Sequence, residues 1–320
     1  MKMIEGIQVL LSTPMTAGGA LDYESTHRLI EHVIQGGVHG IILLGSTGEF
    51  FSLSEAERKE YVEQATAYIG GRVAVGVCPG TPGTETTIEL ARHAESCGAD
   101  YLLVPAPFYF ANTLAGIVDF YTRVAQSVSI PVMPYDGGGG NSLDMEMWRR
   151  IVQANPNITL AKITVPLPPK IKWLHEEFGG CVQAFGGSDQ TILLSLANGA
   201  CGLTVAGANV VPEMFVRMFQ LYRQGDRDQA RSVFYEKISP MNVIAVPAHT
   251  EFIQCYKQAS YWMGVIASPY TRGPMMPLDE PRQEELIAAL IRMGVPLVQE
   301  RCVKVNQGAA LLHSGCCRGR

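Results

Sequence analysis

The chain of 320 residues carries a net charge of −5, and 47% of its residues are hydrophobic. This length can bury one large α/β core, and the mild acidity argues against nucleic-acid or membrane-surface partners because no basic face is evident. No apolar run approaches the roughly 18 residues that span a bilayer, and the first residues lack a signal-peptide core. We therefore expect a cytoplasmic protein that acts on a small molecule.

The cysteines and histidines indicate neither a disulfide framework nor a metal site. The 8 cysteines form no Cys-x-x-Cys pair, and most stand in apolar runs, so we expect reduced thiols. The 7 histidines are scattered without a ligand-like cluster, which argues against a bound metal.

Apolar runs and helical segments alternate eight times along the first part of the chain. The predicted strands cover residues 6–11, 40–44, 73–78, 101–104, 131–135, 159–164, 182–185 and 202–205. The predicted helices cover residues 23–35, 54–69, 84–97, 114–127, 144–153, 170–178, 190–198 and 213–224.

This alternation predicts a (β/α)8 TIM barrel over residues 1–224. The strands are apolar throughout, as in a parallel sheet that is buried on both faces. The competing fold is an open doubly wound sheet, but no Gly-x-Gly-x-x-Gly turn follows the first strand. Three further helices, at 226–237, 250–262 and 281–293, predict a helical extension over residues 225–294. Residues 295–320 lose periodicity and form an irregular tail.

The run Thr159–Lys162 places an amine at the end of a buried strand. Burying a lysine without a partner costs several kcal/mol, and desolvation favours the neutral amine that attacks a carbonyl. We infer that Lys162 forms a Schiff base. The alternatives are a lysine that reaches the surface at the strand end, or one that is paired with a carboxylate.

A barrel places its active site at the carboxyl ends of its strands, which selects the remaining candidates. They are Ser46, Thr47, Gly48, Phe108, Tyr109, Phe110, Tyr135, Asp136, Lys162, Gly186, Gly187 and residues 204–207. A lysine beside tyrosines suits imine chemistry because phenols can carry protons as the carbinolamine dehydrates.

Each candidate also has a structural alternative. Ser46 and Thr47 could cap a turn, and Tyr109 and Tyr135 could be core residues. The glycine pair 186–187 could form an ordinary turn, or it could let backbone approach a ligand closely.

Five motifs in order resemble the dihydrodipicolinate synthase / N-acetylneuraminate lyase family of class I aldolases and dehydratases. They are the GSTGE motif at 45–49, Pro107–Tyr109, Tyr135 and Lys162 at their strand ends, and GLTVAGANV at 202–210. The resemblance covers about residues 5 to 294. It implies a lyase that binds pyruvate or another 2-keto acid as an imine, needs no cofactor, and assembles as a homodimer or homotetramer.

The resemblance also implies individual roles. Lys162 forms the imine, Tyr135 relays protons, and the hydroxyl of Ser46 links two tyrosines. Thr47 holds the substrate carboxylate through its hydroxyl and backbone N–H. Tyr109 is the second relay tyrosine, which in many members serves the neighbouring subunit. We add Gly187 and Thr204 as substrate-binding candidates because both lie near strand ends.

The chain departs from the synthases after strand five. Synthases that use aspartate semialdehyde place an arginine a few residues after the tyrosine, where this chain has Asp136 and the glycine run 137–140. The glycine run could bind an anionic or hydroxylated tail, or it could be a flexible loop. We therefore favour a 2-keto-3-deoxy sugar-acid dehydratase or aldolase. The alternatives are a 4-hydroxy-tetrahydrodipicolinate synthase and a ligand-binding paralogue without turnover.

Overall fold

A computed structural model describes residues 4–137, 142–164, 169–245 and 251–298. Its strands are β1 (Gly6–Leu10), β2 (Gly40–Leu43), β3 (Ala74–Val77), β4 (Tyr101–Pro105), β5 (Val132–Asp136), β6 (Leu160–Ile163), β7 (Gln183–Gly186) and β8 (Gly202–Val205). Most of the glycine run at 137–140 and most of the tail at 295–320 lie outside the described residues.

The eight strands form one closed parallel barrel, which confirms the predicted fold. Each strand pairs with the next along the chain, and β1 also pairs with β8, where Gly6 lies opposite Gly202. Closure leaves no open sheet edge and excludes the doubly wound alternative.

A helix follows each strand on the outside of the barrel. These helices are α1 (Tyr23–Gln35), α2 (Glu55–Ile69), α3 (Thr84–Ser96), α4 (Leu114–Gln126), α5 (Met145–Ala154), α6 (Pro169–Phe178), α7 (Ile192–Ala197) and α8 (Pro212–Arg223). Their first turns follow local chemistry: Asp22 caps α1, and Ser54 and Glu57 form a reciprocal capping box at the start of α2.

Large side chains fill part of the barrel interior. The hydroxyl of Tyr101 donates a 3.0 Å hydrogen bond to Oε1 of Gln8, so this buried amide oxygen has a partner. Two glycines make room for the pair: a Cβ at Gly76 would lie 2.4 Å from the Tyr101 ring, and one at Gly40 would lie 1.9 Å from Gln8.

The C-terminal extension consists of α9 (Arg227–Val233), α10 (Ser239–Ala245), α11 (Glu251–Trp262) and α12 (Glu280–Met293). The helix predicted at 226–237 is shorter than the helical segment in the structure. A wide π turn at Phe234–Ile238 joins α9 to α10, so the segment continues to Ala245. Pro240 lacks an N–H and cannot continue the ordinary ladder. The wider turn, closed by Ser239 N–H donating to Phe234 O, accommodates it.

Helix α11 connects the extension to the barrel. It contacts the short 3-10 turns Ser46–Gly48 and Gly207–Asn209, which follow β2 and β8. The extension therefore touches the end of the barrel where the predicted site lies. Within the described ranges, no helix combines the length and hydropathy needed to cross a bilayer.

Candidate active site

Lys162 lies on β6 between Tyr135 on β5 and Phe185 on β7, and only 3% of its surface is exposed. Its Nζ atom lies 3.9 Å from the centroid of the Tyr135 ring. Paired residues on neighbouring strands project to the same face of a sheet, which explains this contact. Burial excludes a lysine that reaches the surface, and no carboxylate in the described part of the chain forms an ion pair with Lys162.

Gly187 packs directly against the Lys162 side chain. Its N–H donates to Ile163 O at 2.8 Å, and its carbonyl accepts a 3.2 Å hydrogen bond from Thr164 Oγ1. A Cβ at this position would lie 2.1 Å from Thr164 Oγ1 and 2.9 Å from Lys162 Cε. A glycine is therefore needed here, because Thr164 and the stem of Lys162 leave no room for a side chain. The sequence alone did not predict this contact.

The turn after β2 holds Ser46 and Thr47 in a strained backbone. Leu44 and Glu49 bracket it with φ values of 58° and 57°, the left-handed region that residues other than glycine seldom occupy. Thr47 is buried, Ser46 is half-buried, and Thr13 Oγ1 donates a 2.7 Å hydrogen bond to Gly48 O. Strain of this kind is concentrated at functional sites, which keeps the turn a candidate for substrate binding.

Tyr109 projects away from the protein with Phe110. The exposed fractions of the two residues are 85% and 72%, and their rings contact edge to face at 4.6 Å. Tyr109 also has a φ of 86°. The alternative that it is a core residue is therefore wrong, and within one chain its ring does not lie in the barrel interior.

The other sequence candidates are more enclosed. Thr204 is fully buried, and its hydroxyl donates a 3.3 Å hydrogen bond to Gly186 O. Tyr135 is half-buried at the end of β5, with its ring against the amine of Lys162. The structure thus brings Tyr135, Lys162 and Gly187 together.

Asp189 is a buried carboxylate near the site that the sequence reading missed. It accepts hydrogen bonds from Ala206 N at 3.1 Å and Gly207 N at 3.0 Å, which links the loops after β7 and β8. Burial raises the pKa of Asp189, and these N–H groups and the charge of Lys162 oppose that rise. No sequence motif identifies Asp189, because its hydrogen-bond partners are backbone N–H groups.

Asp136 points to the opposite side of the sheet from Tyr135, since neighbouring strand residues alternate. Its carboxylate accepts from Lys170 Nζ at 2.6 Å, Trp148 Nε1 at 3.1 Å and Leu143 N at 3.2 Å. Asp136 was predicted to converge on the site, but its contacts lie in the helical layer. It joins β5 to α5 and α6.

Among the described residues, one group of side chains has the spacing of metal ligands. Glu63, His93 and Cys97 bring one ligand atom each to within 4.8 Å of one another. They belong to α2 and the end of α3 rather than to the strand ends. The 2.9 Å contact between His93 Nε2 and Glu63 Oε1 accounts for two of them as a hydrogen-bonded pair.

Comparisons with known proteins match nearly the whole chain to one protein family. The profile of the Dihydrodipicolinate synthetase family matches residues 3–293. "Putative 2-dehydro-3-deoxy-D-gluconate aldolase YagE" of Escherichia coli (strain K12) is 30% identical over 289 residues, which are 89% of this chain and 95% of YagE. A 4-hydroxy-tetrahydrodipicolinate synthase of Stenotrophomonas maltophilia (strain R551-3) is 34% identical over 230 residues, 72% of this chain and 77% of that protein.

The solved structures give the same result in three dimensions. The crystal structure of YagE in complex with pyruvate superimposes with a TM-score of 0.87 at 29% identity, covering 92% of this chain and 100% of YagE. The family profile matches nearly all described residues, and the structure shows a buried lysine on β6 with a tyrosine against it. The chain therefore belongs to the dihydrodipicolinate synthetase family.

Proposed function

We propose that the protein is a Schiff-base lyase that binds pyruvate or a related 2-keto acid through Lys162. The observation that carries this proposal is the buried Lys162 amine, which has the Tyr135 ring against it and no carboxylate partner among the described residues. A lysine amine in this position can act as the nucleophile that forms a Schiff base with a carbonyl substrate.

In this mechanism the Lys162 amine attacks the keto carbon, and loss of water gives a protonated imine. The imine withdraws electrons from C3, so that C3 loses a proton or, by cleavage of the C3–C4 bond, releases an aldehyde; either loss leaves an enamine. In dehydration the enamine expels the hydroxyl group on C4, which takes up a proton and leaves as water, whereas in aldol cleavage the enamine remains. The resulting enamine is reprotonated, and water then releases the product and restores the amine. We assign the movement of these protons to Tyr135, supported by Ser46 and by the Tyr109 side chain of a neighbouring copy of the chain.

The substrate carboxylate is assigned to the turn after β2. Thr47 supplies a hydroxyl and a backbone N–H, with the Ser46 hydroxyl beside it. Gly187, which follows β7, and Thr204 on β8 complete the proposed binding set. No metal or organic cofactor is required in this scheme, because the imine itself supplies the activation.

A 2-keto-3-deoxy sugar acid is the substrate class that we favour. No arginine follows Tyr135 in residues 136–141, so a second carboxylate would lack a bidentate partner there. In addition, YagE bears the name of an aldolase for 2-dehydro-3-deoxy-D-gluconate. The second candidate is a 4-hydroxy-tetrahydrodipicolinate synthase, which the 34% identity to the Stenotrophomonas enzyme favours.

We also propose that the protein is a homo-oligomer. Tyr109 and Phe110 expose two large rings in a strained loop, and Phe51 is 51% exposed. A second copy of the chain would cover these rings and would bring Tyr109 to the site of its neighbour. Size-exclusion chromatography with light scattering tests this: wild type should be a dimer or larger, and a monomeric wild type contradicts it.

Reductive trapping tests the central step. Borohydride with pyruvate should add the mass of one reduced pyruvyl group, and peptide mapping should locate it on Lys162. The Lys162→Ala variant should give no adduct and no turnover, whereas Lys172→Ala, at an exposed lysine of α6, should behave as wild type. An unchanged mass for the wild type refutes imine formation and leaves the ligand-binding paralogue as the explanation.

Substrate assays separate the two lyases. Wild type should release pyruvate from, or dehydrate, a 2-keto-3-deoxy sugar acid. It should be inactive with pyruvate plus aspartate semialdehyde. Formation of the cyclic product from the second pair with no activity on the sugar acid reverses the assignment.

A further inference from the structure

Glu49 and Lys257 form an ion pair in which both side chains are completely buried. Glu49 ends the turn that holds Ser46 and Thr47, and Lys257 belongs to α11 of the extension. A fully buried pair is costly to assemble because both ions lose their water, so a role other than general stability has to be considered.

Two residues of the extension bind the carboxylate of Glu49. Lys257 Nζ pairs with the carboxylate and also donates a 2.8 Å hydrogen bond to Tyr270 O. The backbone N–H of Arg272 donates to Glu49 Oε2 at 3.2 Å. Arg272 is itself fixed, because its guanidinium bonds Glu57, Gly19 O and Ser52 O.

The backbone of Glu49, which these contacts hold, is in a strained conformation. Glu49 has a φ of 57°, and its N–H donates to Ser46 O at 3.1 Å, which closes the turn. Left-handed backbone at a residue other than glycine persists only where its surroundings hold it. Holding the Glu49 side chain therefore fixes the direction in which the Thr47 hydroxyl and N–H point.

We propose that Lys257 is a positioning residue for recognition of the substrate carboxylate. It is fully buried on α11 and acts through Glu49 on the turn Ser46–Gly48. This inference rests on the proposed function, because it assigns that turn to the carboxylate. It predicts that loss of the pair weakens the binding of carboxylated ketones specifically, while the imine chemistry of Lys162 continues.

The test compares two ketones in borohydride trapping: pyruvate, and acetone, which lacks the carboxylate. Lys257→Met and Glu49→Gln should each raise the half-saturating pyruvate concentration about tenfold, equivalent to about 1.4 kcal/mol. The trapping rate with acetone should change less than about threefold. The double variant should resemble the single variants, because residues of one network are not additive.

Lys237→Met is the matched control. Lys237 is also in the extension, but its Nζ donates to the backbone oxygen of Met293 at 3.1 Å, away from the turn. It should leave the half-saturating pyruvate concentration unchanged, even if the melting temperature falls. Glu49→Gln preserves the shape of the side chain. If Lys257→Met does not fold, the half-saturating pyruvate concentration of Glu49→Gln decides the test.

The outcomes separate this inference from the proposed function. If the wild type is not trapped by either ketone, the proposed function fails and this inference falls with it. If the wild type is trapped but the variants keep the wild-type half-saturating pyruvate concentration, only the positioning role is overturned. Equal loss with pyruvate and acetone also overturns it, because that pattern indicates general damage to the barrel.

Discussion

The Nζ atom of Lys162 lies 3.9 Å from the centroid of the Tyr135 ring, over the face of the phenol. A ring face attracts a positive charge, by up to about 2 kcal/mol where water is excluded. The protonated imine carries its charge on this same nitrogen. The contact therefore stabilises the cationic intermediate as well as the free ammonium, and it places the phenol ring beside the reacting atoms.

The ring and the hydroxyl of Tyr135 should have separable effects. Tyr135→Phe keeps the ring face, so borohydride trapping with pyruvate should still label Lys162. Turnover of the sugar acid should fall about 10²- to 10⁴-fold, the usual contribution of proton transfer by a positioned group. Tyr135→Leu removes both and should lower the yield of adduct as well. Wild-type turnover in Tyr135→Phe means that another group carries the protons.

The contact of Gly187 with Lys162 leads to a second prediction. Gly187→Ala forces a methyl group to within 2.9 Å of Lys162 Cε and 2.1 Å of Thr164 Oγ1, so the lysine stem or the loop must move. A misplacement of about 1 Å can cost roughly 100-fold in rate, and we expect trapping and turnover to fall by about that factor.

Gly83→Ala is the control for this substitution. A Cβ at Gly83 meets no atom within 4 Å, and the residue has a φ of −102°, which alanine adopts easily. Its activity should equal that of wild type. Full activity of Gly187→Ala contradicts the prediction, because it shows that the loop moves to admit the methyl group without displacing Lys162.

The barrel could be predicted from the sequence because its signals are local. An apolar run of strand length recurs in each unit, and several helices begin at caps such as Asp22 and Ser54 or end at glycines such as Gly36 and Gly70. The placement of Lys162 and Tyr135 followed directly, because strand ends in a barrel converge at one face. These inferences needed no knowledge of distant contacts.

The supporting charges could not be found in this way. Glu49 stood inside a recognised motif, but its partner Lys257 lies far along the chain in a helix with no distinguishing pattern. Asp136 was predicted to face the site because it ends a strand, yet its partners are Trp148 and Lys170 on two outer helices. Pairings of this kind depend on tertiary contacts, which periodicity does not encode.

The Asp136–Lys170 pair should be a strong determinant of stability. Asp136 is fully buried, and Lys170 donates to its carboxylate at 2.6 Å and to Leu143 O at 2.7 Å. Lys170→Met leaves a buried charge without its ion-pair partner, which costs about 3–5 kcal/mol of unfolding free energy. Urea unfolding followed by circular dichroism measures the loss.

Lys172→Met provides the comparison on the same helix. Lys172 pairs with Glu176 across one helical turn at 3.5 Å, and both side chains are mostly exposed. Such pairs contribute little, so this variant should unfold close to the wild-type urea midpoint. Equal losses in the two variants indicate that helix α6 tolerates neither substitution and that the buried pair has no special role.

The last prediction concerns acid stability and the anchor of Arg272. The hydrogen bond from Arg272 lowers the pKa of Glu57 from 4.5 to about 2, with further contributions from Ser54. Because the folded pKa lies below the unfolded value, the stabilisation is complete above pH 4.5 and is lost as the pH falls towards 2. Glu57 is partly exposed, so solvent screening reduces the effect to about 1–2 kcal/mol at neutral pH.

Urea unfolding of wild type and Glu57→Gln between pH 7 and pH 3 measures this contribution. Glutamine can still close the capping box with Ser54, so the variant isolates the charge. It should be less stable than wild type at pH 7, and the two curves should converge as the pH falls below 4.5. Glu55→Gln, on the same turn but without an ion-pair partner among the described residues, should run parallel to wild type. A constant gap between wild type and Glu57→Gln at all pH values rules out the linkage.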